Sequence, residues 1–164
     1  SATVTVVMHG EGEEKDREKI VIVPSIQAFM ELVQDKVDKE GKEIELKQVA
    51  AEGFIFMADT RPIRSICDQF CIEAGFSPNI IFESDSPVAV MNMIAANIGI
   101  GFWPAFTWER VKTENVKLLK IKEPGFSRDV LISYRNNKTD DEKVRCFYEF
   151  LVNFFKEEKC YSEF

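Results

Sequence analysis

Strict alternation opens the chain. In "ATVTVVMH" apolar and polar positions take turns and most residues are β-branched, which predicts a strand. "GEGEEKDREK" replaces that pattern with a charged connector, expected to stay solvated. "KIVIVP" is a continuous apolar run, as in a strand buried on both faces. The period then changes. Ser25 reads as a helix N-cap, and Ile26, Phe29, Met30, Val33 and Val37 follow at helical spacing, with the helix expected to end near Gly41. A third strand is expected at Phe54–Met57. A second helix follows from Pro62 to about Ala74, with Ile63, Ile66, Cys67, Phe70 and Ala74 on its apolar face and Gly75 as its stop.

The clearest unit is "NIIFESDSPVAVMNMIAANIGIGFWP". Asn79–Phe82 predicts a strand, Ser86 caps a helix that starts at Pro87, and Val88, Met91, Ile94 and Ala95 form its expected apolar face. Gly99 and Gly101 bracket a tight return into another apolar strand. Strand, helix and strand in this order make the βαβ unit of a parallel sheet, so the fold class is α/β. "NVKLLKI" and "DVLISY" predict two further strands. Thr139 with Glu142 predicts a capping box for a last helix that turns Val144, Phe147, Leu151, Phe154 and Phe155 inward.

Composition narrows the function classes. The 164 residues suffice for one domain or two small lobes. A net charge of -7 argues against holding nucleic-acid phosphates or an anionic membrane through this chain. No apolar run reaches membrane-spanning length and no signal peptide is recognisable, which sets cytoplasmic as the expected location. Of the four cysteines, Cys67 and Cys71 lie one helical turn apart, and the single His9 is far away in sequence. Zinc needs four well-placed ligands, so no metal is expected, and reduced, partly buried thiols are the better reading.

In an open α/β sheet, ligands bind beyond the carboxyl ends of the strands. Two segments reach that edge: "FMADTR" and "ESDSP". The helix beginning at Pro87 points its free N–H groups there, and Ser84 and Ser86 add hydroxyls, so an anion is favoured. The alternative is structural: Ser86 only caps its helix, and Asp85 only complements the helix dipole. Glu83 and Asp85 are weak support for paired-carboxylate chemistry. No phosphate loop, dinucleotide fingerprint or nucleophile–base set is present, so no catalytic residue and no cofactor are expected. Phe102, Trp103, Phe106 and Trp108 read as core or subunit contact before a base-stacking platform.

These residues resemble a family. "FESDSPVAVMNMIAANIGIGFWP" is similar to the strand–helix–strand signature of LysR-type transcriptional regulators, in which a polar turn precedes a helix, then Gly-x-Gly and an apolar run closing in proline. "IELKQVAAEGFIFM" resembles the hinge-to-strand segment of that family, "RSICDQFCIEAGFSPNIIFES" its next helix and strand, and "VLISYRNNKTDDEKVRCFYEFLVNFF" its closing strand and terminal helix. The resemblance covers Ile44 to Phe155. It implies a periplasmic-binding-protein-like (type II) effector-binding region with two α/β lobes, in which a small metabolite binds between the lobes and alters how an oligomer holds DNA. The winged helix–turn–helix has no counterpart in the sequence. Residues 1–43 are therefore expected to be a partial or remodelled first lobe, and 44–164 the second, effector-binding lobe with its closing strand and C-terminal helix.

The resemblance further implies that Ser84 contacts effector, flanked by Asp85 and Ser86, and that Met57 supplies an apolar contact. Phe102 and Trp103 would lie beneath the cleft or in a lobe contact. The implied partners are an anionic small-molecule effector, other copies of the chain in a dimer or tetramer, and DNA only through a separate N-terminal domain. A solute-binding protein of the same fold is the main rival. An enzyme on this fold, such as a dehydratase or deaminase, is a third reading that lacks a base or lysine set.

Overall fold

The computed structural model describes residues 3–7, 18–105, 114–123, 125–129, 131–135 and 142–157. In chain order its strands are β1 (Thr3–Val7), β2 (Glu18–Val23), β3 (Glu43–Ile44), β4 (Gly53–Met57), β5 (Asn79–Ser84), β6 (Ile100–Pro104), β7 (Leu119–Ile121), β8 (Ser127–Arg128) and β9 (Leu131–Arg135). Its helices are α1 (Ile26–Leu32), α2 (Pro62–Glu73), α3 (Pro87–Ala95) and α4 (Glu142–Glu157). The chain divides into two compact units, Ile20–Phe126 and the pair of segments Ser1–Lys19 and Ser127–Phe164. Residues 1–43 thus contribute to both units.

The larger unit is built on a sheet of order β3-β7-β2-β6-β4-β5. β4 runs parallel to both β5 and β6, whereas β2 is antiparallel to β6 and β7. The expected βαβ unit is present: β5, α3 and β6 follow one another, with β5 and β6 on either side of β4. The continuous apolar run of β2 has its reason in this order. It lies in the middle of the sheet, and Ile20, Val21, Ile22 and Val23 are all buried.

Two glycines let the strands close up. A Cβ on Gly99 would stand 2.5 Å from the backbone oxygen of Gly53, and one on Gly101 would stand 2.7 Å from Ile94 Cδ1 and 2.9 Å from the Ile55 oxygen. Steric room, and not backbone handedness, is what these positions require. The left-handed residue of this return is Asn97, with φ 62°, and its side-chain oxygen accepts the Ser25 hydroxyl.

Three expectations need correction. The first helix ends at Leu32 and not near Gly41. The Asp38 carboxylate captures the amides of Lys42 and Glu43 at 2.7 and 2.9 Å, which also lowers its pKa, and Val37 leaves to bridge Ile44 across that turn. Met30, which lies within the helix, is exposed and so is not part of its buried face. In α3 the buried residues are Val90 and Ile94, while Val88 is 65% exposed. Val90 stands one turn before Ile94, but Val88 stands six positions before it, on another side of the helix. The expected inward stripe of α4 merged two faces. Val144, Tyr148, Leu151 and Val152 are half-buried, whereas Phe147 and Phe154 are exposed.

In the smaller unit β1 pairs antiparallel with β9, from Thr3 opposite Arg135 to Val7 opposite Leu131. β8, which the sequence did not suggest, pairs antiparallel with Glu18 and Lys19. Glu18 is fully buried and accepts a hydrogen bond from Arg128 Nε at 2.7 Å. The "NVKLLKI" strand is shorter than expected, only β7, and Val116 forms an isolated bridge with Ser25. His9, Phe106, Trp108, Thr139 and Cys160 lie outside the described residues. Among the described residues, no helix is long and apolar enough to cross a membrane and no cluster of side chains could hold a metal ion.

Candidate functional site

The carboxyl ends of β4 and β5 lie side by side, and each runs into a loop that starts a helix. Met57 and Ser84 are cross-strand partners there, and Ala58 N donates to the Ser84 carbonyl at 3.0 Å. Pro62 and Pro87 then set the first turns of α2 and α3. Both helices therefore begin at the same edge of the sheet, over the two loops that the sequence places there.

Ser86 is an N-cap: its hydroxyl oxygen accepts from Ala89 N at 3.4 Å. Ser84 is placed differently. Its Oγ accepts from Ser86 N at 3.1 Å, which holds the turn, and neither its hydroxyl proton nor that of Ser86 has an acceptor among the described residues. Asp85 is exposed, and its carboxylate accepts from Thr60 Oγ1 at 2.8 Å. Arg61 Nη2 donates to the Asp85 carbonyl at 3.1 Å, and its Nε is 3.8 Å from the Asp85 carboxylate. Ser84, Asp85 and Ser86 thus form one polar rim with Thr60 and Arg61.

Thr60 and Arg61 belong to the "FMADTR" segment, but no residue pattern singled them out. Their position immediately before a helix-starting proline is the signal that could have done so.

Below the rim the site is apolar. Met57, Phe102 and Trp103 are all buried. Phe102 stacks on Phe54 with ring centroids 5.8 Å apart and meets Phe56 at 5.6 Å. A narrow pocket between the sheet and α2 is lined by Ile55, Phe56, Met57, Ile63, Arg64, Cys67 and Phe102, with room for about one water, 10 Å³ of water-sized space. Met57 and Phe102 meet in this pocket, whereas Trp103 is not among its walls.

Arg64 joins the rim to the floor. Its Nε donates to Asp68 at 2.9 Å, its Nη1 to the Glu83 carboxylate and, at 3.3 Å, to the Met57 carbonyl. The guanidinium carbon stands 5.1 Å from the centroid of Phe56. Burial works against the charge on Arg64, but the hydrogen bonds to Glu83 and Asp68 outweigh it and raise its pKa. Glu83 is therefore committed to an ion pair. Cys71, one turn after Cys67, is fully buried, and burial, with the Asp68 charge second, pushes its thiol up to about 12.

Comparison with known proteins fits this geometry. Residues 35–156 match the family described as LysR substrate binding domain. An uncharacterized HTH-type transcriptional regulator of Bacillus subtilis, YwbI, is 29% identical over 108 residues, which cover 66% of this chain and 36% of that protein. The chain therefore spans little more than a third of this relative. The effector binding domain of QuiR in complex with shikimate has a TM-score of 0.69 at 19% identity, covering 95% of this chain and 66% of that one. The effector binding domain of BenM with its effector benzoate has a TM-score of 0.70 at 15% identity, covering 96% and 65%. These likenesses extend the α/β, periplasmic-binding-protein-like type II fold over nearly the whole chain. With the family match spanning most of its length, the chain belongs to the LysR substrate-binding domain family of transcriptional regulators.

Proposed function

We propose that this chain is the effector-sensing part of a LysR-type transcription regulator and that a small carboxylate is met by the rim of β4 and β5. The observation that carries the reading is the Ser84 hydroxyl, which holds its turn as an acceptor and keeps its proton free to donate. Arg61 supplies positive charge on the same rim, and the starts of α2 and α3 favour an anion. Met57 and Phe102 supply an apolar floor, and Trp103 supports it from the buried strand β6. Shikimate and benzoate, bound by QuiR and BenM, both carry a carboxylate, the group such a rim would meet.

The function is binding and not catalysis. Among the described residues no side chain accepts the Ser84 proton, and Glu83 is held by Arg64. DNA binding by the whole protein would come from a separate helix–turn–helix, and residues 1–43 and 44–164 would descend from the first and second lobes. The part would work in the cytoplasm, beside the DNA that the whole protein controls.

The test is a thermal-shift screen with small carboxylates, amino acids and aromatic acids. A ligand at about a hundred times its dissociation constant stabilises by about 2.7 kcal/mol, a visible shift. Ser84→Ala should abolish the shift, while the unliganded chain loses only the turn bond to Ser86 N, about 0.5–1.5 kcal/mol. Ser86→Ala should lower stability by about 0.5–2 kcal/mol through loss of the helix cap. A ligand whose shift survives Ser84→Ala would overturn the assignment of this rim.

A further inference from the structure

The rim carries an anion of its own. The Asp85 carboxylate accepts from Thr60 Oγ1 at 2.8 Å and stands 3.8 Å from Arg61 Nε. A hydroxyl and a guanidinium side by side are the kind of donors that recognise a carboxylate. The carboxylate they face here belongs to the same chain. A second exposed carboxylate, Asp59, lies on the loop that holds Thr60 and Arg61. Asp59, Arg61 and Asp85 thus put two negative groups and one positive group on the lip, so an incoming anion meets no net attraction there. Arg64, Asp68 and Glu83, the other charged groups at this edge, are paired with one another.

We propose that Asp85 is a built-in competitor: its carboxylate occupies Thr60 and Arg61, and a ligand carboxylate reaches these donors by displacing it. The inference rests on the reading of the rim as a carboxylate site and adds a threshold to that site. The contact is made to open. Arg61 and Asp85 are 52% and 68% exposed in their side chains, so water and salt already compete for the pair. As a structural tie it contributes little, and the two loops are joined without it by Ala58 N donating to the Ser84 carbonyl. Arg61 keeps a second anchor, because its Nη2 donates at 3.1 Å to the Asp85 carbonyl, a backbone atom that stays when the side chain turns away. The turn is fastened by Ser84 Oγ on Ser86 N, and α3 by Ser86 Oγ on Ala89 N. The Asp85 side chain can therefore leave without unwinding the helix behind it.

Amide NMR titrations of the whole chain with benzoate and with shikimate test it. Asp85→Asn keeps an acceptor for Thr60 and removes the charge. It should tighten binding of either carboxylate about five- to twentyfold at low salt, through lost repulsion at close range and the lost internal pair. The gain should shrink at roughly 1 M salt, where charges are screened beyond about 3 Å. Asp85→Ala frees Thr60 as well and should gain at least as much. Asp59→Asn removes a charge from the same loop without freeing a donor, and should gain much less. Arg61→Gln should abolish the gain of Asp85→Asn. A merely structural role for Asp85 has the opposite sign: a loosened rim and weaker binding.

The proposal is overturned if Asp85→Asn binds the probes no better than the native chain. A gain matched by Asp59→Asn, or one that survives Arg61→Gln, also overturns it. So does a variant that binds neither probe, since the freed donors then recognise no carboxylate. Failure of the rim assignment reads out separately. A gain that persists in Ser84→Ala keeps the competitor and removes Ser84 from the site. A ligand lost with Ser84→Ala but indifferent to Asp85→Asn does the reverse.

Discussion

At the scale of single residues, environment decides what a side chain can do. Serines two positions apart in one turn hold different amides: the Ser86 oxygen accepts from Ala89 N and caps α3, whereas the Ser84 oxygen accepts from Ser86 N and holds the turn. The sequence could place both at the rim but could not divide these roles, since each depends on a backbone amide whose direction only the folded turn sets. The sequence read the cysteines as reduced, partly buried thiols, which Cys67 and Cys71 are and the exposed Cys146 is not. The Cys71 thiol, raised to about 12, stays protonated at neutral pH, and the thiolate is the reactive form. Iodoacetamide applied to the native chain at pH 8 should therefore modify the exposed Cys146 and spare Cys71 until denaturant is added. Mass spectrometry of the peptides decides it; rapid native modification of Cys71 would show that its burial is not maintained.

At the scale of elements, periodicity succeeded where an element has one apolar face and failed where it has two or is cut short. α2 kept its expected span and buried face, and β2 kept its two-sided burial. α1 lost its expected last turns to Asp38, whose local hydrogen bonds competed with the helix. α4 was misread because phenylalanine counts as apolar on either side of a helix, and sequence spacing cannot tell a core face from an outward seam. The Gly99–Gly101 return was legible as a glycine pair, but its reason was not: the constraint comes from Gly53 and Ile55, more than forty positions earlier in the chain. Gly99→Ala should cost about 1–3 kcal/mol, because the added methyl meets fixed backbone and not a movable side chain. Urea denaturation checks this; an unchanged midpoint would mean that the strands can separate freely there.

At the scale of the whole molecule, the fold class was written in the order of elements, and the family in the residues from Ile44 to Phe155, close to the 35–156 that match the family. The topology was less legible. β2 runs antiparallel to both its sheet neighbours, β6 and β7, whereas β7 is parallel to β3, and no local pattern records the direction in which a distant strand will pair. The aromatic residues of β6 tie this sheet together. Trp103 is buried in a strand that joins β2 to β4, so Trp103→Ala should lower stability by about 3–5 kcal/mol. Calorimetry with sedimentation would separate this from a role in association; unchanged melting temperature and unchanged mass would remove Trp103 from both.

The contrast between rim and floor has a use beyond the native ligand. Thr60, Arg61 and Asp85 touch each other and water, and their side chains carry little of the packing, while Gly53, Gly99, Gly101 and the rings beneath admit almost no change. On the proposed reading of the rim, the protein is a fixed socket with an exchangeable lip. A combinatorial library confined to positions 60, 61 and 85 would explore chemical preferences with little cost to the scaffold, which is the property sought in a starting point for a made-to-order biosensor.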